Sequence, residues 1–354
     1  MAVTNVYPIG DSSLENVYWH MNGNGSNLEE AKAKSVEGQL QANLGPQYQV
    51  ISHAYDGFTT TNVLEGGFIG AVFKWDGEKV AAYIQAKKPD PNKPDRFVMP
   101  LQRLADAIKK QDPLGNHVVV ISVGGNDFRL HLQNNPLKLL TDVPNIQNRY
   151  LQIVERVRKL GPNVRPVLMF QYRTDGNNDG AYRVYFTLGI AARFAAAVNL
   201  LGVAGIAAAG VAIAARKVNG MKGGIFITIA SLVLYGMTWL VPLKVTKGIL
   251  KGQSPGMTMI GALMEKFYQP MLKYAVRHGL PILDLPNSFN PYEKLYSHGI
   301  EPSEEGGKLI AQGLSTIISG DKAHDYGSSK IYRCSGDVRP TSLDWQVEYV
   351  SKSQ

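Results

Sequence analysis

The chain has 354 residues, 44% hydrophobic and 19% charged, which excludes a disordered or fibrous protein, and its single Cys334 excludes a disulfide framework or a Cys-rich zinc site. The formal net charge of +8 does not point to nucleic acid, because it is local. Gly180–Met264 holds no Asp or Glu, and its bases (Arg183, Arg193, Arg216, Lys217, Lys222, Lys244, Lys247 and Lys251) account for the whole excess, a membrane-flanking pattern rather than a basic groove.

Met1–Gly10 carries no basic side chain and no long apolar stretch, so no export signal is expected there. The chain reads directly into a strand over Val3–Ile9. A helix over Leu28–Asn43 and a strand over Tyr48–His53 follow. Next come a helix over Pro100–Lys110, a strand over His117–Val123, a helix over Ile146–Lys159 and a strand over Val164–Gln171. Most of these strand runs are apolar on both faces, as buried parallel strands are, and alternation with helices predicts a parallel sheet covered on both sides.

Two uncharged runs then interrupt the pattern. Phe194–Ala215 has Asn199 as its only strongly polar residue, and Ile225–Leu243 carries no charge. Each fits the ~17–25 residues that cross a bilayer. The basic turn Arg216–Gly224 joins them into a hairpin, and Gly202, Gly205, Ala209 and Ala212 would allow close helix packing. A buried helical pair in a large soluble fold is the alternative. More bases flank the hairpin than lie in its turn, which favours the main domain on the cytoplasmic side. The pattern resumes with a helix over Gly261–His278, a strand over Leu280–Leu285 and a helix over Ser303–Ile318. In the tail, Lys330–Cys334 and Trp345–Val350 are expected to form a small hairpin along one sheet edge. The expected organisation is a first part of the main domain over 1–183, the insertion over 184–251, the second part over 252–320 and a tail over 321–354.

Ligands of parallel sheets bind beyond the C-terminal strand ends. At the first exit, Gly10-Asp11-Ser12-Ser13-Leu14, a hydroxyl follows a buried strand directly. At the second, Ala54-Tyr55-Asp56-Gly57, Gly57 offers a backbone N–H. At the third, Gly124-Gly125-Asn126-Asp127, Asn126 offers an amide donor of the kind that holds developing negative charge. Each is an ordinary loop when taken alone; together they place a nucleophile and two donors at one edge.

These residues resemble the GDSL or SGNH hydrolases. Gly10-Asp11-Ser12 with Leu14 matches the block that carries the nucleophile, Gly57 the second-block glycine, and Gly124-Gly125-Asn126-Asp127 the block with the oxyanion Asn. The resemblance covers Val3 to about Gly320 apart from the insertion. It implies a three-layer α/β/α, flavodoxin-like fold with about five parallel strands, to which the transmembrane hairpin is added, and cleavage of acyl or acetyl esters. In the last block the family carries Asp-x-x-His; here His298-Gly299-Ile300-Glu301-Pro302-Ser303 puts His298 at the Asp position and Glu301 at the His position. Three arrangements fit. Glu301 takes the Ser12 proton itself, which requires burial to raise its pKa. Alternatively, His298 reaches Ser12 and a carboxylate orients it. In the third, the site has lost turnover and is kept for binding. His53 and His117 sit in or beside strands as structural residues; His20, His131, His278 and His324 lie away from this edge or have no position that the sequence fixes.

The expected activity is a membrane-anchored serine esterase or lipase whose partner is an acyl ester or lipid at a membrane. No cofactor and no metal is implied: no His pair stands at i, i+4, and no dinucleotide or phosphate-loop motif follows a strand. The rival classes are a membrane-bound, catalytically impaired scaffold and a membrane-active effector.

Overall fold

The structure, a computed structural model, describes residues 3–24, 27–70, 78–87, 96–111, 115–134, 136–173, 196–197, 200, 243–250, 255–289, 294–297, 300–320, 328–334 and 345–351. The chain divides into two compact units, one of Met1–Asn177 with Phe267–Gln354 and one of Asn178–Lys266.

In chain order the elements are β1 (Thr4–Gly10), α1 (Val17–Asn24), α2 (Leu28–Lys34), α3 (Val36–Leu44), β2 (Tyr48–Val50), β3 (His53–Ala54), α4 (Thr60–Glu65), β4 (Gly67–Phe68) and α5 (Glu78–Lys87). They continue with β5 (Phe97–Val98), α6 (Pro100–Lys110), β6 (His117–Ser122), α7 (Gly125–Asn134), α8 (Pro136–Arg158), β7 (Val164–Phe170) and α9 (Leu243–Leu250). The last are α10 (Pro255–His278), β8 (Ile282–Asp284), α11 (Glu304–Gly320), β9 (Ser328–Cys334) and β10 (Trp345–Ser351).

The main sheet runs β10-β9-β8-β7-β6-β1-β2, with β3 also on β1. All its pairings are parallel except β9–β10. The expectation of about five parallel strands is therefore corrected to an eight-stranded sheet, because the tail hairpin adds to β8 and the second strand is two. Pro8 explains the split. Val6 and Gly10 turn their carbonyls towards β2 and β3, accepting from Ile51 at 2.8 Å and Tyr55 at 3.1 Å. Pro8, midway between them on the same side, has no N–H to continue that ladder.

The helix expected over Leu28–Asn43 is also two. Ser35 ends α2 by donating its hydroxyl to the Lys32 carbonyl at 2.7 Å and starts α3 by accepting from Gly38 N–H at 3.2 Å. Helices cover both faces of the sheet. Val36, Leu40 and Leu44 of α3 pack with Leu309, Ile310 and Leu314 of α11 over Val6, Val118, Val120 and Val167. On the other face α4 and α6 contact β1, and α8 contacts β7. In the second unit Val245, Ile249 and Ala262 pack together.

Of the two uncharged runs expected to form a membrane hairpin, only residues 196, 197, 200 and 243 are among those described. Among the described residues no helix is long and apolar enough to cross a membrane.

Candidate active site

From β1 the chain passes to β2 and β3 on one side and later to β6 on the other, so the strand order reverses between β1 and β6. In open α/β sheets that crevice is where ligands bind. At the β1 exit Gly10 has φ +146°, and a Cβ on it would lie 1.7 Å from the Ser122 carbonyl oxygen. Only glycine fits where these strand ends close on one another. Asp11 N–H donates to the same carbonyl at 3.2 Å, and the chain turns so that the Leu14 and Glu15 N–H groups both reach the Asp11 carbonyl at 3.1 Å.

The neighbours of Ser12 are pinned on both sides. The Asp11 carboxylate accepts from the Ser13 N–H at 3.1 Å and the Ser13 hydroxyl at 2.8 Å, and from Gln171 Nε2 at 2.8 and 2.7 Å. Ser13 Oγ also stands 2.8 Å from Ser122 Oγ. Burial pushes the Asp11 carboxyl up to about 6, against the pull of these bonds.

The other two exits are tied to the first. Tyr55–Phe58 forms a turn closed by Phe58 N–H on the Tyr55 carbonyl at 3.1 Å. Its third residue, Gly57, has φ +79°, which a turn of this kind demands of that position. Asn126, buried at the start of α7, donates Nδ2 to the Phe58 carbonyl at 3.1 Å. Asp127 accepts from the Thr60 N–H at 2.8 Å and hydroxyl at 2.7 Å. An amide carries two N–H bonds, and that of Asn126 gives one to this turn.

Glu301 stands against Ser12. The Ser12 hydroxyl lies close enough to the Glu301 carboxyl to favour its ionised form. Glu301 is 1% exposed. Its Oε2 has no hydrogen-bond partner among the described residues. Burial pushes this carboxyl up to about 7; the Ser12 hydroxyl and the Arg129 charge pull it down, and Asp11 and Glu15 push it further up. The loop is held by Tyr172 Oη on the Ile300 carbonyl at 2.9 Å, by Ser297 N–H on the Glu301 carbonyl at 2.9 Å and by Asn16 Nδ2 on the Pro302 carbonyl at 3.1 Å.

The Val36 N–H donates to Asn16 Oδ1 at 3.0 Å, which fixes the orientation of that amide. Nδ2 therefore donates to His20 Nε2 at 3.1 Å. This buried histidine, expected away from the edge, is thus one side chain removed from the Glu301 loop. His298 and His324 lie outside the described residues. His53 stacks on Tyr7 with ring centroids 5.9 Å apart, and burial lowers its pKa to about 4. His117 is buried in β6, His131 pairs with Asp142 at 2.8 Å, and His278 lies against Tyr274.

Sequence reasoning missed three charged neighbours. Asp56, 3% exposed, donates its N–H to Tyr83 Oη at 3.2 Å. Its Oδ2 has no hydrogen-bond partner among the described residues, and burial, then Glu301 and Glu15, push its carboxyl well up. Glu15 is fully buried, accepting from Tyr83 Oη at 2.7 Å and facing Lys87 at 3.4 Å. Neither burial is legible locally, since Tyr83 and Lys87 are distant in sequence. Arg129 was legible: it follows Asn126 by three residues, the spacing that shares a helix face. Among the described residues, no three His, Cys, Asp or Glu side chains gather in a way that could hold a metal ion.

The sequence matches no family model, and no curated protein matches it. Among solved structures, it is similar to the native M. smegmatis aryl esterase and to a carbohydrate acetylesterase from Sinorhizobium meliloti. Each is 12% identical, with 90% of this chain and 99% of the other covered at a TM-score of 0.40. A likeness that weak carries no argument for activity or site, whereas the sheet order and the parallel pairings give the fold as a three-layer α/β/α.

Proposed function

We propose that the chain is a serine ester hydrolase in which Ser12 is the nucleophile and Glu301 its base, acting on an acyl ester or lipid. The observation that carries this reading is the buried Glu301 carboxyl, pushed up to about 7, with the Ser12 hydroxyl close enough to favour its ionised form. An ordinary carboxylate is too weak a base for this task; one held near neutrality is matched to the working pH. Ser12 Oγ adds to the ester carbonyl carbon while its proton passes to Glu301. The oxyanion is met by the Ser12 and Gly57 N–H groups and the second N–H of Asn126. Collapse breaks the bond to the alcohol, which leaves with the proton from Glu301. Water then attacks the acyl-Ser12 ester, gives its proton to Glu301 and releases the carboxylic acid as Ser12 regains its hydrogen. His298 is the alternative base, and Glu301→Gln against His298→Ala separates the two.

In the same reading Phe194–Ala215 and Ile225–Leu243 form a membrane hairpin that holds the site at a lipid surface with the main domain on the cytoplasmic side. Deleting Arg193–Leu243 behind a short linker should then free the main domain from its need for detergent. Full-length protein that is soluble without detergent would remove the anchor from the reading.

One observation favours a binding protein without turnover: Ser12 is only 7% exposed. A fluorophosphonate probe decides. A single adduct on Ser12, absent in Ser12→Ala, together with release of 4-nitrophenol from 4-nitrophenyl acetate, supports the hydrolase. Absence of both supports the binding protein.

A further inference from the structure

Arg129 is a cation at this edge that the steps above do not use. It follows Asn126 by three residues on α7, so the two side chains lie on one helix face with Cβ atoms about 5–6 Å apart. Arg129 is half-buried, and its Nε is fully buried without a hydrogen-bond partner among the described residues. Among the described residues no carboxylate forms an ion pair with it. Arg149, on the neighbouring helix, is the opposite case. Its guanidinium reaches Thr60 Oγ1 at 2.8 Å and Asp127 at 3.4 Å, so it is consumed in holding the third exit to α4.

A buried donor without a partner is costly in a folded protein, and such a group stands where a ligand or water completes it. The Arg129 charge also favours the ionised forms of both Glu301 and Asp56, which places it within electrostatic reach of the reacting carboxyl. Burial opposes ionisation of those two acids more strongly than the charge assists it, so they do not neutralise Arg129 as a surface carboxylate would.

We infer that Arg129 binds an anionic group, a carboxylate or a phosphate, carried by the ester substrate, so that the enzyme selects acid-bearing esters over neutral ones. This rests on the Ser12 hydrolase reading. A guanidinium is a planar fork of donors that pairs in two-pronged fashion with either group. Its position one helical turn beyond Asn126 puts the anion to one side of the oxyanion donors rather than among them.

The test compares the full-length wild type, Arg129→Gln and Arg129→Lys on three probes: 4-nitrophenyl acetate, 4-nitrophenyl hydrogen succinate and 4-acetoxyphenyl phosphate. The wild type should prefer at least one anionic probe, and the preferred one tells carboxylate from phosphate. In Arg129→Gln the ratio of kcat/KM for that probe to kcat/KM for the acetate should fall about 10–100-fold, mainly through KM. Arg129→Lys should restore the ratio only in part, because it keeps the charge and loses the fork. The ratio cancels any effect Arg129 has on Glu301 itself, which acts on all probes alike. A wild type without preference for either anion, or a ratio unchanged in Arg129→Gln, overturns the assignment. Should no probe be turned over, the hydrolase reading fails separately, and Arg129 is judged by calorimetric binding of succinate and inorganic phosphate: binding lost in Arg129→Gln supports it, and equal or absent binding overturns it.

Discussion

The two halves of the candidate site differ in how completely their polar groups are satisfied. At the β1 and β6 exits the Asp11 carboxylate, the Ser13 and Ser122 hydroxyls and the Gln171 amide bond one another. Across from them, Glu301 Oε2, Asp56 Oδ2 and Arg129 Nε are buried without hydrogen-bond partners among the described residues. Paired networks rigidify, whereas unpaired buried groups cost free energy and are rare. The first half is therefore a scaffold that fixes where Ser12 stands. The second holds buried acids and a cation whose polar atoms have no hydrogen-bond partner among the described residues.

The largest expected effect breaks the scaffold. In Gly10→Ala the new Cβ would meet the Ser122 carbonyl oxygen at 1.7 Å. Either β1 and β6 part or the Asp11–Glu15 turn is lost, a change in the class that costs more than about 4 kcal/mol. Thermal unfolding followed by circular dichroism should show no cooperative transition near the wild-type midpoint. Survival of that transition would mean the strand ends can separate freely and do not fix Ser12.

Glu301→Gln tests the other half and should move activity and stability in opposite directions. Ester turnover should fall about 10³-fold or more, because the base is gone. The wild-type rate should rise with pH through about 7, since the ionised carboxyl is the active form. The folded-state value lies above the ordinary 4.5, so the native state binds more protons than the unfolded chain between those pH values. Wild-type stability therefore falls as pH rises across that window. Gln carries no charge at any pH, so the variant should gain on the order of 3 kcal/mol relative to wild type above pH ~7 and nothing below pH ~4.5. Denaturant melts at pH 4 and pH 8 measure this; equal gains at both would place the Glu301 carboxyl in contact with water. Asn126→Ala should cost about 10²–10³ in kcat, as the loss of one oxyanion donor does. A loss of only a few-fold would leave that amide to its bond with Phe58.

The sequence made the scaffold half more legible than the other. Continuous apolar runs mark β1, β6 and β7, and Ser12, Gly57 and Asn126 each follow a strand with their own local chemistry. What escaped is set by partners remote in the chain. The break between β2 and β3 comes from Pro8, which lies on the adjacent strand. The burial of Glu15 and Asp56 depends on Tyr83 and Lys87, which no periodicity connects to them. The Glu301 loop is fixed by bonds that span 286 and 128 positions, from Asn16 to Pro302 and from Tyr172 to Ile300. The Ser35 break was locally visible as a capping residue, but the helical pattern runs on across it.

Asn16 tethers the Glu301 loop of the second half, and replacing it gives the smallest and sharpest test of the separation of the two halves. Its amide makes three of the four bonds open to it: the Val36 N–H donates to Oδ1 at 3.0 Å, and Nδ2 donates to the Pro302 carbonyl and His20 Nε2, both at 3.1 Å. Asn16→Ala removes three hydrogen bonds from buried groups, at a cost of about 1–3 kcal/mol. Ser12 itself is held by Asp11 and Ser13, which Asn16 does not touch, so the nucleophile should stay in place and label normally with a fluorophosphonate. The loop carrying Glu301 loses one tether and admits water. Because burial is the main cause that raises the Glu301 carboxyl, the midpoint of the pH–rate profile should slide from about 7 towards the ordinary carboxylate range, with about a 10-fold lower rate at neutral pH. A fall in stability with an unmoved midpoint would show that the Glu301 loop is rigid without Asn16, and the two halves would then be one network.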